Sequence, residues 1–371
     1  MAAGKRATWA AVDDLPDRPG ADVRGQLDAL VARARTPGLQ YLVVDADRTR
    51  LAYEGGWADI RGRVAMTPAT TMMAYSMSKT ITAVAVHQLV AAGRLGLDDP
   101  IERFSAVPYG PGITVRLLLA HLSGIPNPIP LRWVHPAAQH ATFDEHAALA
   151  AVLAAHPTLA AAPGKSYRYS NIGYWLLGRV VERAAGMPFP SYVQSHVLAP
   201  LGLTPADLGY AILDAGLHAH GYLEKYSFMN LAKRLLIDRA LIGDYEGRWL
   251  RIEPHYLNGP AFGGLVGTAR GFGKFLQDQL RPRSALFDQA AHDRLTEQQR
   301  TSAGALVPMT LGWHLGDLAG TRFYYKEGGG GGFHCEMRLY PGPGVASVVM
   351  SNATAFDVKD CLNRADRQLF P

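Results

Sequence analysis

Two stretches within 39–60, LQYLVVDA and RLAYEGGWADI, are dense in Val, Leu, Tyr and Trp. The polar run DADRTR parts them, which is the pattern of two strands joined by a turn. Across 72–90 the apolar spacing becomes helical, and Gly93, Gly96 and Pro100 supply stop signals. From Thr114 to Leu203 the pattern is mostly helical, with apolar positions three and four apart in ALAAVLAAHP and YWLLGRVVERAAG. After Ala261 come a Gly-rich turn and the helix GFGKFLQDQL. Strand patterns then return in TLGWHLGD, TRFYYKE, FHCEMRLYP and VASVVMSNA, and a final helix is expected over 357–368. Strands at both ends with helices between predict an α/β (α+β) fold. Its antiparallel sheet is built from both termini (1–70 and 260–371) and flanked by helices, with a mostly helical subdomain inserted at 71–259. The segment 213–258 contains SFMNLAKRLLIDRALIGDYEGRWL, apolar at helical spacing and basic on the other face. It predicts a core-facing helix or, as the functional alternative, a cap over a cleft that takes hydrophobic substrates.

Composition narrows the class. The 371 residues are 48% hydrophobic and 19% charged, ordinary values for a chain with one large core. No window of eighteen uninterrupted apolar residues occurs, so no membrane span is expected. The start lacks an apolar stretch after its basic pair, because Asp13 and Asp14 interrupt it, and a cytoplasmic home is the expectation. The net charge of +5 comes from scattered Lys and Arg with no block of like charge, which argues against a nucleic-acid partner. Cys335 and Cys361 are too few for a disulfide framework and are expected as buried thiols.

Three short motifs carry the candidate chemistry. Ser76-Met77-Ser78-Lys79 opens the helix predicted over 72–90, and residues three apart on a helix share a face. The hydroxyl and the amine therefore meet without help from the rest of the fold. A serine hydroxyl needs an adjacent base to become a nucleophile, and a lysine serves only if burial or a nearby cation lowers its pKa. One Ser-x-x-Lys arises about once by chance in a chain of this length, so the motif needs company. Tyr169-Ser170-Asn171 lies where a polar loop feeds a helix. A tyrosine there relays a proton if two ammonium groups stand close and pull its pKa down from about 10. Asn171 offers donor and acceptors to a substrate amide or carbonyl, and to Lys79. A second Tyr-x-Asn at Tyr256 to Asn258 follows a different kind of segment. Lys326-Glu327-Gly328, continuing through Gly329 to Gly332, closes a Tyr-rich strand. Its glycines bare one backbone edge, where N–H groups at Gly328 and Gly329 complete an oxyanion hole with that of Ser76. Lys326 is then the second cation beside Tyr169, and a point of attraction for a substrate carboxylate.

In this order, the three motifs resemble those of the β-lactamase and penicillin-binding-protein superfamily, on its class C and family VIII esterase side. VRLLLAHLSGIPN, YSNIGYWLLGRVVERAAGMPF, LAPLGL, GGLVGTARGFGKF and KEGGGGGF resemble further family stretches, so that the likeness covers most of 40–352. It implies a serine hydrolase acting through an acyl-enzyme, without metal or cofactor. Ser76 is the nucleophile, Lys79 and Tyr169 share the proton, Asn171 orients the substrate, and Gly329 with Ser76 holds the oxyanion. Which of Lys79 and Tyr169 is the base stays open at this level. The lactamases carry a hydroxyl residue where this chain has Glu327, and related esterases often lack the Lys that this chain keeps. A carboxylic ester is the expected small-molecule substrate. A β-lactam or D-amino-acid peptide, acyl transfer to an acceptor other than water, and an idle binding or sensor protein are the alternatives. The resemblance makes His121 and Ser123 structural. His334 is expected to make a surface hydrogen bond. On one continuous helix His135 and His146 would share a face about 16 Å apart with His140 pointing away, and Pro136 speaks against such a helix, so the three make a poor metal set.

Overall fold

A computed structural model describes residues 21–128, 133–231 and 238–368. Seven antiparallel strands form the main sheet, in the spatial order His314–Leu318, Thr321–Gly330, Phe333–Tyr340, Val345–Ser351, Gly38–Asp45, Thr49–Asp59 and Val64–Ala65. The expected assembly from both termini is present. Gly38–Asp45 pairs on one side with its sequence neighbour and on the other with Val345–Ser351, in the register Tyr41 to Val349.

Alternation along the central strands sorts two cores. Tyr41, Val43 and Val349 face the helices Ala21–Ala32 and Val358–Asp366, where Leu27 and Leu362 are buried. Leu42, Val44, Val348 and Met350 face the opposite way, into the larger core with Phe272, Phe275 and Leu276 of the helix Ala269–Leu280. That core continues through the helices Ser78–Ala91 and Asn171–Ala185, both largely buried. Among the described residues no helix is long and apolar enough to cross a membrane. Both cysteines are buried free thiols.

One local expectation holds only in part. Among the described residues the α-helix expected within 213–258 is limited to Phe228–Leu231, and much of the rest forms a small sheet of Gly221–Glu224, Trp249–Ile252 and Ile242–Glu246. Gly247 takes a left-handed φ of 65° and turns the chain between two of its strands, which a helix cannot accommodate. Residues 232–237, the middle of the expected helix, lie outside the described residues. The small sheet is anchored to the main one where Tyr222 N donates to Gly332 O and to Asn352 O. The histidines do not share one helix, as Pro136 foretold. Val134–Pro136 is a strand, and His135 Nε2 lies 3.0 Å from His140 Nδ1 rather than facing away from it.

Candidate active site

The helix expected from Met72 starts later. Met72–Met73 forms a short strand against Val266–Gly267, then Tyr75–Met77 makes one 3₁₀ turn, and the α-helix begins at Ser78. Ser76 therefore stands on the turn just ahead of the helix. Ser78, the other hydroxyl of the motif, is buried and accepts from Leu265 N at 3.0 Å, which ties the helix start to the neighbouring segment.

Three predicted side chains converge. Lys79 Nζ donates to Ser76 Oγ at 2.8 Å, and Tyr169 Oη donates to the same oxygen at 2.8 Å. Lys79 also donates to the backbone carbonyl of Phe262 at 2.6 Å. Lys326 completes the group from the Thr321–Gly330 strand. Its Nζ is buried without a hydrogen-bond partner among the described residues and stands 5.3 Å from the Tyr169 ring centroid, while Lys79 Nζ stands 5.0 Å from it.

Burial governs the proton affinities. Lys79 is held well below the ordinary lysine value, first by desolvation and then by the like charge of Lys326. Desolvation pushes Lys326 down to about 7. For Tyr169 the expectation of a lowered pKa is overturned. Burial pushes its phenol above the ordinary range and outweighs the opposing bond to Ser76. The resting site thus favours a neutral amine beside a neutral phenol.

Asn171 begins its helix behind Ser170, whose Oγ caps it by accepting from Gly173 N at 3.1 Å. Asn127 Oδ1 accepts from Asn171 N at 2.9 Å. Asn171 Oδ1 is buried and has no partner among the described residues, so this side chain does not hold Lys79 through that atom, as the sequence had suggested; the Phe262 carbonyl does. Gly328 packs directly on the Ser76 turn. A Cβ there would lie 2.2 Å from Ala74 O and 2.8 Å from Ser76 N, so only glycine fits. Gly329, the next residue, pairs with His334 across the sheet. We expect Gly328→Ala to lower kcat/KM on the order of a hundredfold by displacing the turn. Overpacking should also cost about 1–3 kcal/mol of stability. Steady-state kinetics and thermal unfolding check the two effects.

Other residues fall into supporting places. The His121 and Tyr169 rings pack at a tilt with centroids 4.3 Å apart, and His121 Nδ1 accepts from Ser170 N at 3.2 Å, so it braces the loop that carries the tyrosine. Glu327 turns away from Lys326, and its carboxylate meets His334 Nε2 at 2.7 Å. His334 Nδ1 lies 2.6 Å from Phe356 O. The second Tyr-x-Asn is spent elsewhere: Ile212 N donates to Tyr256 Oη, and Asn258 Oδ1 meets His135 Nδ1. Sequence reasoning missed Asn127 as a partner of Asn171, although Asn127 closes the stretch VRLLLAHLSGIPN. It also missed the Phe262 carbonyl, a backbone atom that no residue identity announces. Among the described residues no group of three His, Cys, Asp or Glu side chains is arranged to hold a metal ion.

A mixed fold whose antiparallel sheet is closed from both termini, with Ser, Lys and Tyr meeting beside one of its strands, is that of the β-lactamase-like serine hydrolases. Residues 23–369 match the model of the Beta-lactamase family, and the chain belongs to that family, whose members are serine hydrolases. Penicillin-binding protein 4 of Amycolatopsis lactamdurans is 27% identical over 359 residues, 89% of this chain and 85% of that protein. Protein flp of Staphylococcus aureus (strain MW2) is 28% identical over 194 residues, 48% of this chain. That match spans only 37% of the length of Protein flp. Among solved structures, the octameric penicillin-binding protein homologue from Pyrococcus abyssi superposes with TM-score 0.76 at 22% identity, covering 94% of this chain and 76% of the other. The D-amino acid amidase from Ochrobactrum anthropi SV3 gives TM-score 0.76 at 23% identity, covering 94% and 97%. At these identities the structural likeness is one of fold.

Proposed function

We propose that this chain hydrolyses carboxylic esters through an acyl-enzyme on Ser76. The observation that carries the reading is Ser76 Oγ flanked at 2.8 Å by both Lys79 Nζ and Tyr169 Oη, with burial holding the amine toward its neutral form. With Lys79 neutral, the contact runs the other way and the hydroxyl donates to the amine lone pair. Lys79 then takes the Ser76 proton as Oγ attacks the ester carbonyl. The N–H groups of Ser76 and Gly329 receive the oxyanion. Tyr169 gives its proton to the departing alcohol, and the new ammonium of Lys79 returns one to Tyr169. Water repeats the sequence in reverse and releases the acid. Asn171 Oδ1, buried and free, orients the substrate.

Esters rank ahead of β-lactams and wall peptides because the usual carboxylate anchor is weak. Lys326 is buried against Tyr169 and Tyr174 with a pKa near 7, and Glu327 stands in place of a hydroxyl with its carboxylate turned to His334. A D-amino-acid amide or peptide is the second reading, favoured by the free Asn171 Oδ1, which suits an amide N–H. The name of the Ochrobactrum amidase points the same way. Rates on a p-nitrophenyl ester, a cephalosporin and a D-Ala peptide rank these readings, and faster peptide turnover overturns the first. Intact mass after a fluorophosphonate probe distinguishes an enzyme from an idle binding protein, which would stay unlabelled. Product analysis with added alcohols tests acyl transfer. Tyr169→Phe is expected to lower kcat/KM roughly a hundredfold or more, as for loss of a proton-transfer group. A near wild-type rate in that variant would remove the tyrosine from the relay.

A further inference from the structure

The residue before the nucleophile is held in a conformation that its side chain disfavours. Tyr75 has φ 44°, the left-handed region that glycine enters freely and a residue with a Cβ enters at a cost. Strain of this kind persists only where the surroundings over-determine it, and it gathers at functional sites. Here the surroundings are the glycine-rich end of the Lys326 strand. Tyr75 Oη donates to the carbonyl of Gly331 at 2.8 Å and lies 3.1 Å from His255 Nε2. The Tyr75 ring occupies the space left by the absent side chain of Gly330, where a Cβ would fall 2.3 Å from a ring carbon. The side chain is buried.

Two backbone segments therefore meet through one tyrosine. Its own main chain carries the N–H of Ser76, and its hydroxyl grips the strand end that carries the N–H of Gly329. We infer that Tyr75 is a positioning residue that sets the spacing of these two N–H groups. This rests on the reading of Ser76 as nucleophile and extends it. Packing alone does not require the hydroxyl, since phenylalanine fills the same slot. Only Oη reaches Gly331, and it bonds to the opposite segment rather than to its own turn. The glycine at 330 thereby gains a reason, since it admits the ring.

The test uses Tyr75→Phe, which keeps the ring, and Tyr75→Gly, which keeps the backbone conformation and removes the grip. Labelling of wild-type Ser76 by a fluorophosphonate is read first by intact mass. If Ser76 is unlabelled while ester is turned over, the nucleophile reading fails and this inference falls with it. If Ser76 is labelled, kcat and KM on a p-nitrophenyl ester, binding of phenylboronic acid and thermal unfolding are compared. Tyr75→Phe should lower kcat about tenfold with KM within about twofold, since the lost contact serves the transition state more than the bound substrate. Phenylboronic acid, which forms a tetrahedral adduct on serine, should weaken in step with kcat/KM. Tyr75→Gly should lose about a hundredfold. A Tyr75→Phe enzyme that matches wild type in kcat and boronate affinity overturns the inference, even if its melting temperature drops. That outcome leaves Ser76 as nucleophile untouched.

Discussion

Ser76→Ala turns over ester on the order of 10⁶-fold more slowly than wild type, the scale seen when the nucleophile of a serine hydrolase is removed. The loss is this large because no neighbouring group can substitute. Ser78, two residues on, faces inward to Leu265 N, and the remaining site groups are an amine and a phenol that serve the same oxygen. The fold should tolerate the change, since Ser76 is only half-buried and its Oγ helps to hold no backbone segment. A melting temperature near wild type, with no fluorophosphonate adduct and no ester burst, is the expected combination. An alanine variant that still accumulated an acyl-enzyme would place the nucleophile elsewhere.

Lys79→Met should cost about 10³–10⁴ in kcat/KM, near the upper end for a general base, because methionine fills the volume without offering a lone pair. The pH profile supplies a second readout. Lys79 must be neutral to accept the Ser76 proton, and the two buried amines titrate as a unit. Wild-type kcat/KM should therefore fall on the acid side as Lys79 takes up a proton, at a pH well below the ordinary lysine value because burial and the charge of Lys326 both oppose its protonation. Tyr169, held above the ordinary phenol range, should add no loss near pH 10. The stability effect has the opposite sense from that of a lysine with a partner. The unfolded chain keeps the Lys79 proton up to about pH 10.4, whereas the folded site releases it well below that. In that window the unfolded state binds more protons, so this group's contribution to stability declines as pH falls and is lowest once both states are protonated. Lys79→Met removes the penalty, and its melting temperature at pH 7 should match or exceed that of wild type. A variant that is both slow and much less stable would mean that the amine is structural.

How much of this was legible from residue identities depends on the kind of atom involved. The sheet was readable because its strands are short runs of aromatic and β-branched residues parted by polar, Gly and Pro turns, and the order Ser76, Tyr169, Lys326 was readable because each motif sits beside its own turn signal. The pKa of Tyr169 was not, since two nearby cations suggested depression while burial decides the sign. Lys79 was expected to lean on Asn171, and its partner is instead a main-chain oxygen of Phe262. The hairpin at Trp249–Ile252 was hidden by apolar residues that fit helical spacing as well, and Gly247 alone gave away the turn. Strand alternation left the direction of Glu327 open, and His334 shows where it goes.

The strand Gly38–Asp45 lies inside the main sheet, and one of its two neighbours, Val345–Ser351, is made only long after it. Gly38 N, for instance, waits for Asn352 Oδ1, 314 residues further along the chain. Until then a long apolar edge stands bare, which invites pairing with other chains. Such distant closure also slows folding, because loop entropy is spent before any contact rewards it. Nascent or C-terminally clipped molecules should thus be the species most dependent on chaperones, whatever the mature molecule's own resilience.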